Sequence, residues 1–135
     1  MRTAARVIIV KNNKILFIHR IKYGREYYVL PGGAIELNET SEQAAIREAK
    51  EETNFNIEID RLLFEMPEEV KGEKRYAYYF LVKSFRGELK LGGPELERQS
   101  AENQYIFEWL SVEELDGLLV YPEGLKEKVK ESKIL

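Results

Sequence analysis

The stretch from Pro31 to Phe55, PGGAIELNETSEQAAIREAKEETNF, sets the tightest limit on how this chain folds. It joins a proline and two glycines to a helix marked at both ends. Thr40 is a good N-cap and Gln43 completes a capping box, so a helix is predicted over Ser41 to Thr53. Asn54 follows, and Asn readily takes the left-handed conformation that closes helices. At about 100° per residue, Glu48, Glu51 and Glu52 share one helix face. Ser41 and Ala44 lie on that face one and two turns earlier, where small side chains leave space beside the acids. Ala45, Ile46 and Ala49 point elsewhere, toward a sheet.

The flanking sequence supplies that sheet. Val7 to Val10 and Ile15 to Ile18 read as buried strands joined by Lys11-Asn12-Asn13-Lys14, and Asn accepts the positive φ of a tight hairpin. Tyr27 to Leu30 is a third strand, stopped by Pro31, which lacks a ladder N–H. Gly32-Gly33 is then a side-chain-free turn. Further strands are predicted over Ile57 to Phe64, Arg75 to Phe85 and Tyr105 to Leu110. A short helix is predicted from Ser111, with Glu114 as its capping partner, and an amphipathic helix from Glu123 to Ser132. Strands and few helices in this order imply a mixed sheet covered by helices.

The 135 residues suit one domain spanning the whole chain. Hydrophobic residues make up 44%, enough for a packed core. Twenty-one basic against 24 acidic residues give a net charge of -3, which argues against a nucleic-acid polymer as partner but not against single nucleotides. The absence of Cys excludes a disulfide scaffold and a Cys-based zinc site. The first residues enter a strand pattern at once and no long apolar segment follows, so a cytoplasmic protein without a signal peptide or membrane span is expected.

Clustering three acids has a cost, since like charges at i, i+4 destabilise a helix by roughly 0.2–0.5 kcal/mol per pair. Lys50 projects to the other side; Arg47 reaches Glu51 and offsets part of the repulsion. A local conflict of this kind marks candidate functional sites. Its simple remedy is a divalent cation, and Mg²⁺ prefers hard oxygen ligands while leaving positions for phosphate oxygens. Without Cβ atoms, Gly32 and Gly33 let the backbone approach a ligand, with a carbonyl for the metal and N–H groups for phosphate. Taken singly, a Glu-rich helix is more often a solvated face, and Gly-Gly after Pro a plain turn.

Together these residues resemble the Nudix box: Gly, five residues, Glu, seven residues, Arg-Glu, an aliphatic residue, any residue, Glu-Glu, any residue, Gly, an aliphatic residue. Gly33 begins it, Glu39 follows, then Arg47-Glu48, Ala49, Lys50, Glu51-Glu52, Thr53, and Phe55 in the last apolar position. Asn54 stands where the family has Gly. Pro31, Gly32 and Glu36 match the usual flanking residues. The resemblance implies an α/β fold, a Nudix-type α/β/α sandwich around a mixed β-sheet with a catalytic loop-helix-loop. It implies a metal-dependent hydrolase that cleaves a pyrophosphate bond in a nucleoside diphosphate derivative, using Mg²⁺ or Mn²⁺. It places the metal on Glu48, Glu51, Glu52 and the Gly32 carbonyl, and gives Arg47 and Glu39 the task of orienting the acidic face. Arg20 matches a phosphate-contacting position, beside Gly33 and Glu39 at the substrate, with Lys22 and Arg25 in a loop that flanks the pocket or is merely solvated. A further acid from the loop Gly92 to Asn103 acts as ligand or base; Glu95, Glu97 and Glu102 are candidates, and Glu102 is favoured because it lies just before the Tyr105 strand. Many relatives are homodimers, and the same is open here.

Substrate markers of the family are mostly missing. Tyr121-Pro122-Glu123-Gly124 lacks the Asn found in enzymes that clean oxidised guanine nucleotides. Val70 stands where ADP-ribose hydrolases carry Pro, and Lys71, Gly72 and Glu73 occupy the range where dinucleoside polyphosphate hydrolases place Tyr. Nucleoside triphosphates and nucleotide sugars both remain open. Tyr27, Tyr28, Tyr78 and Tyr79 are candidates to stack on a base or to fill the core, and His19 is expected to be structural. The alternative to hydrolysis is a non-catalytic Nudix-fold module that binds a nucleotide without cleaving it. An isomerase of this fold usually needs a Cys, which is absent.

Overall fold

In the computed structural model, which describes residues 2–70 and 72–135, Met1 and Lys71 lie outside the described residues. Strand β1 runs over Arg2–Ile8. Its Ala4 and Ile8 enter one apolar layer and its Ala5 and Val7 the other, the alternation of a strand covered on both sides. The strand predicted from Val7 therefore begins earlier; charged Arg2 and Arg6 hide its start in the sequence.

β2 (Val10–Lys11) and β3 (Lys14–Lys22) form the predicted hairpin. Asn12 and Asn13 have φ of 51° and 62°, the values a two-residue hairpin turn demands. A second such turn, Tyr23-Gly24 with φ of 47° and 83°, leads into β4 (Arg25–Val29). Lys22 and Arg25 are thus partners in a ladder rung rather than loop residues. The Gly-Gly turn also proves to be a strand: β5 (Gly32–Ala34) pairs antiparallel with β1.

Helix α1 covers Ser41–Thr53 as predicted. The Thr40 hydroxyl accepts from the Gln43 N–H at 3.1 Å, and the Gln43 side chain accepts from the Thr40 N–H at 2.9 Å. Asn54 ends the helix at φ 69°, ψ 6°. Thr40→Ala is expected to lower stability by about 1 kcal/mol through loss of this cap, read as a shift in the urea midpoint. β6 (Asn56–Val70) and β7 (Glu73–Arg86) form a long antiparallel ribbon with bulges at Ile59 and near Leu62. The loop expected over Gly92 to Asn103 contains a short helix, α2 (Gly93–Arg98), with Pro94 in its first turn. β8 (Asn103–Leu110) follows. Ser111 and Glu114 exchange their predicted hydrogen bonds at 3.0 and 3.2 Å, but the turn they start is a 3₁₀ helix over Glu113–Gly117. The last helix, α3, covers Leu125–Ser132; it begins after Gly124, whose φ of 94° is incompatible with starting at Glu123.

The strands make a mixed sheet ordered β5-β1-β7-β6, parallel between β1 and β7, and a second antiparallel sheet in which β3 lies between β8 and the β2–β4 edge. On one side Ala44, Ala45 and Ala49 of α1 pack on Ala5, Val7 and Phe80. On the other, Leu115, Leu125 and Val129 pack on Ile8, Phe17 and Tyr79. This is an α/β/α sandwich. Two details differ from the sequence reading: Ala44 is fully buried in the core rather than open beside the acids, and Ile46 is 42% exposed rather than packed on the sheet. Among the described residues no helix is long and apolar enough to cross a membrane.

Candidate active site

Capping fixes where α1 starts, and its alanine face fixes how it lies on β1; its acidic residues are then turned toward β5. Arg47 organises that surface. Its Nε and Nη2 donate to the two Glu39 oxygens at 2.8 and 3.0 Å, and Nη2 also donates to the Ala34 carbonyl at 3.0 Å. Its Nη1 donates to Glu48 Oε1 at 3.0 Å and reaches Glu51 Oε2 at 3.4 Å. The Glu39 hydrogen bonds are the main reason that Arg47 holds its proton more tightly than usual. Reciprocally, Arg47, helped by the Glu36 N–H, holds the Glu39 carboxyl below the usual carboxylate range.

Glu52 is the most enclosed of the acids, 5% exposed, and its Oε1 accepts from the Gly32 N–H at 2.8 Å. Burial first, then the charge of Glu95, raise its carboxyl well above the ordinary range, against the Gly32 N–H and Arg6. Burial likewise pushes Glu48 up, against Arg47. The Glu48 carboxylate lies directly over Gly33: a Cβ on Gly33 would sit 2.6 Å from Glu48 Oε1. Gly32 has φ +150°, and a Cβ there would collide with the Ala5 carbonyl oxygen and lie 2.7 Å from Arg6 Cδ. Gly32→Ala is therefore expected to cost about 2–4 kcal/mol through backbone strain and overpacking, seen as a lowered thermal midpoint.

The structure brings Gly32, Gly33, Glu39, Arg47, Glu48, Glu51 and Glu52 together. Glu102 and Arg20 lie elsewhere. The Glu102 carbonyl accepts from the Tyr23 N–H at 2.8 Å and its exposed side chain accepts from the Ser100 hydroxyl at 3.4 Å. Arg20 donates to the Gln104 carbonyl at 3.2 Å and to Asn103 Oδ1, with its guanidinium 3.8 Å from the Tyr105 ring centroid. The late acid that faces the cluster is Glu95 on α2. Its charge raises both Glu48 and Glu52, and its Oε2 is buried with no hydrogen-bond partner among the described residues. Glu102 is next to β8 in the sequence, whereas Gly92 and Gly93, just before Glu95, permit close approach to α1.

A second buried group adjoins Gly32. Arg6 Nη2 donates to Glu68 Oε1 at 2.8 Å, and Tyr79 OH lies 3.4 Å from Glu68 Oε2. Burial opposes the Arg6 charge, but Glu68 more than offsets it, so Arg6 stays protonated. Sequence patterns gave no sign of this pair, whose members are 62 positions apart. His19 stacks on Tyr28 at 4.4 Å between Glu108 and Glu26, and Tyr79 is fully buried in the core.

Among the described residues no three His, Asp or Glu side chains converge on one point as they stand. Arg47 draws Glu48 and Glu51 to one side while Gly32 holds Glu52. The donor chemistry nevertheless fits a divalent cation. Hard carboxylate oxygens gather where burial disfavours their charge, one buried oxygen of Glu95 is unsatisfied among the described residues, and the absence of a Cβ on Gly33 makes room for the Glu48 carboxylate.

The NUDIX domain profile matches residues 1–131. The chain belongs to the NUDIX family. An ADP-ribose pyrophosphatase of Methanocaldococcus jannaschii is 36% identical over 95 residues, 68% of this chain and 56% of that protein. Among solved structures, the ORF135 protein of E. coli superimposes with a TM-score of 0.77 at 25% identity, covering 99% of this chain and 91% of that one. A MutT NUDIX hydrolase from Burkholderia pseudomallei gives a TM-score of 0.76 at 26% identity, covering 95% and 97%. The chain spans 32%, 56% and 38% of the length of the first three curated relatives it matches. Within the NUDIX domain, Asn54 in place of Gly keeps the left-handed helix end.

Proposed function

We propose that this chain hydrolyses a pyrophosphate bond in a nucleoside diphosphate derivative, with a divalent cation held on α1. The observation that carries this reading is the enclosed Glu52 carboxylate, fixed at the Gly32 N–H beside Glu48 and Glu95 and, among the described residues, without a side-chain hydrogen bond from a cation. Mg²⁺ or Mn²⁺ on Glu48, Glu51, Glu52 and the Gly32 carbonyl would supply positive charge for the diphosphate and acidify a water.

The residues of the chain divide the remaining work. Glu39 locks Arg47, and Arg47 holds Glu48 and Glu51 aligned. Gly33, without a Cβ, lets the Glu48 carboxylate sit against the backbone of β5. Glu95, rather than Glu102, accepts the proton of the attacking water; the water oxygen bonds to phosphorus as the bridging P–O bond breaks, and the leaving phosphate takes the electron pair. The nucleoside end is assigned to the row Tyr27, Arg20 and Tyr105, which face one another across β4, β3 and β8. Tyr121, 5.2 Å from the Tyr27 ring and bonded to Arg25, extends this surface; aromatic faces of this kind stack on any base.

The test is a product assay with Mg²⁺ against ADP-ribose, nucleoside triphosphates, dinucleoside polyphosphates and nucleotide sugars. ADP-ribose stands first because the Methanocaldococcus relative is named for it. Release of a nucleoside monophosphate or pyrophosphate is the expected result. Tight binding of a nucleotide with no cleavage would overturn the proposal and leave a binding module.

A further inference from the structure

We propose that Asn54, the residue that departs from the Nudix box, is a positioning residue that clamps the β7–α2 segment onto α1 and so sets where Glu95 stands; this rests on the hydrolase reading above. The last carbonyls of a helix lack intrahelical partners, and the segment 87–93 runs along those of α1. Gly87 packs on the Asn54 carbonyl, where a Cβ would come within 2.9 Å. The Lys90 N–H donates to the Thr53 carbonyl at 3.0 Å. Gly92 packs on the Glu51 carbonyl, where a Cβ would come within 2.7 Å. Three residues later α2 carries Glu95 toward Glu48 and Glu52.

Asn54 supplies the side-chain hydrogen bond of this track. Its Nδ2 donates to the Glu88 carbonyl at 2.9 Å, and its Oδ1 accepts from Lys50 Nζ at 3.1 Å, which orients the amide. A glycine would keep the left-handed backbone at φ 69° but make neither bond. An aspartate would keep the Lys50 contact and lose the donation to Glu88. The two substitutions therefore separate the tether from the helix cap.

The experiment compares the unmodified chain, N54D, N54G, E95Q and the N54D/E95Q pair on the derivative that the unmodified chain cleaves fastest. Both Asn54 variants should lower kcat by about tenfold with KM nearly unchanged, the scale expected when a catalytic group is displaced. N54D should cost nothing further once Glu95 is already Gln, because a positioning residue acts only through what it positions. Independently of activity, amide hydrogen exchange at Lys90 should be faster in N54D by about tenfold, with global unfolding little changed. An unaltered kcat in N54D, a full additive loss in the N54D/E95Q pair, or unchanged exchange at Lys90 would each overturn the proposal. Failure of the unmodified chain to cleave anything removes the hydrolase reading and this role together; an active parent with an unaffected N54D removes this role alone.

Discussion

Glu52→Gln is expected to reduce metal-dependent turnover by about a thousandfold, within the range lost with a catalytic ligand or base, while leaving the fold intact. The amide oxygen of Gln is still able to accept from the Gly32 N–H that now bonds Glu52 at 2.8 Å, so the β5–α1 contact survives. What disappears is the charge. The folded protein holds the Glu52 proton more tightly than the unfolded chain, whose carboxyl titrates near 4.5. The penalty for ionising Glu52 is therefore absent below pH 4.5, grows as pH rises toward the folded value, and is complete above it. Without added cation, E52Q should lose stability less steeply than the parent over that interval. Glu48, also raised, keeps a residual slope. Parallel urea melts between pH 4 and 8 and kcat at saturating Mg²⁺ check both halves. A glutamine variant that turned over at the parental rate would remove Glu52 from the chemistry.

Arg47→Ala is expected to cost both stability and activity. The guanidinium donates to Glu39, Glu48, Glu51 and the Ala34 carbonyl, and the side chain is only 24% exposed. Its loss leaves Glu39 and Glu48, each 14% exposed, without their counter-ion. Breaking a fully buried pair costs about 3–5 kcal/mol; partial exposure here sets the expectation at about 2–4 kcal/mol. Arg47→Lys keeps the charge but not the fork that grips both Glu39 oxygens, so it should recover less than half of that loss. Because the ties from Glu39 to α1 also go, kcat should fall even under conditions where the variant is fully folded. Chemical denaturation and kinetics at one pH separate the two effects.

Local signals were legible in the sequence and tertiary ones were not. Thr40, Gln43 and Asn54 mark both ends of α1 because caps are decided within one turn of the chain, and Asn12-Asn13 marks its hairpin for the same reason. The placement of Glu48, Glu51 and Glu52 on one face follows from helix geometry alone. The start of β1 was obscured by Arg6, whose charge is tolerated only because Glu68 meets it from the far edge strand. Helix spacing places Ile46 toward the sheet with Ala45 and Ala49, but the alanines Ala44, Ala45 and Ala49 occupy that surface and leave Ile46 exposed. Chain position favours Glu102 over Glu95 and does not reveal that segment 87–93 is laid along the carbonyls of α1. The row of Arg20, Tyr27 and Tyr105 has the same origin: these residues meet only when β3 pairs with both β4 and β8.

The most direct test of the whole account is an anomalous difference map from crystals grown with Mn²⁺ and a non-hydrolysable nucleoside diphosphate analogue. A peak bounded by Glu48, Glu51 and Glu52, with Glu48 and Glu51 released from Arg47 and a phosphate oxygen on the opposite side, is the predicted result. Analogue bound with no peak among these acids, and with Glu48 still on Arg47, would contradict it.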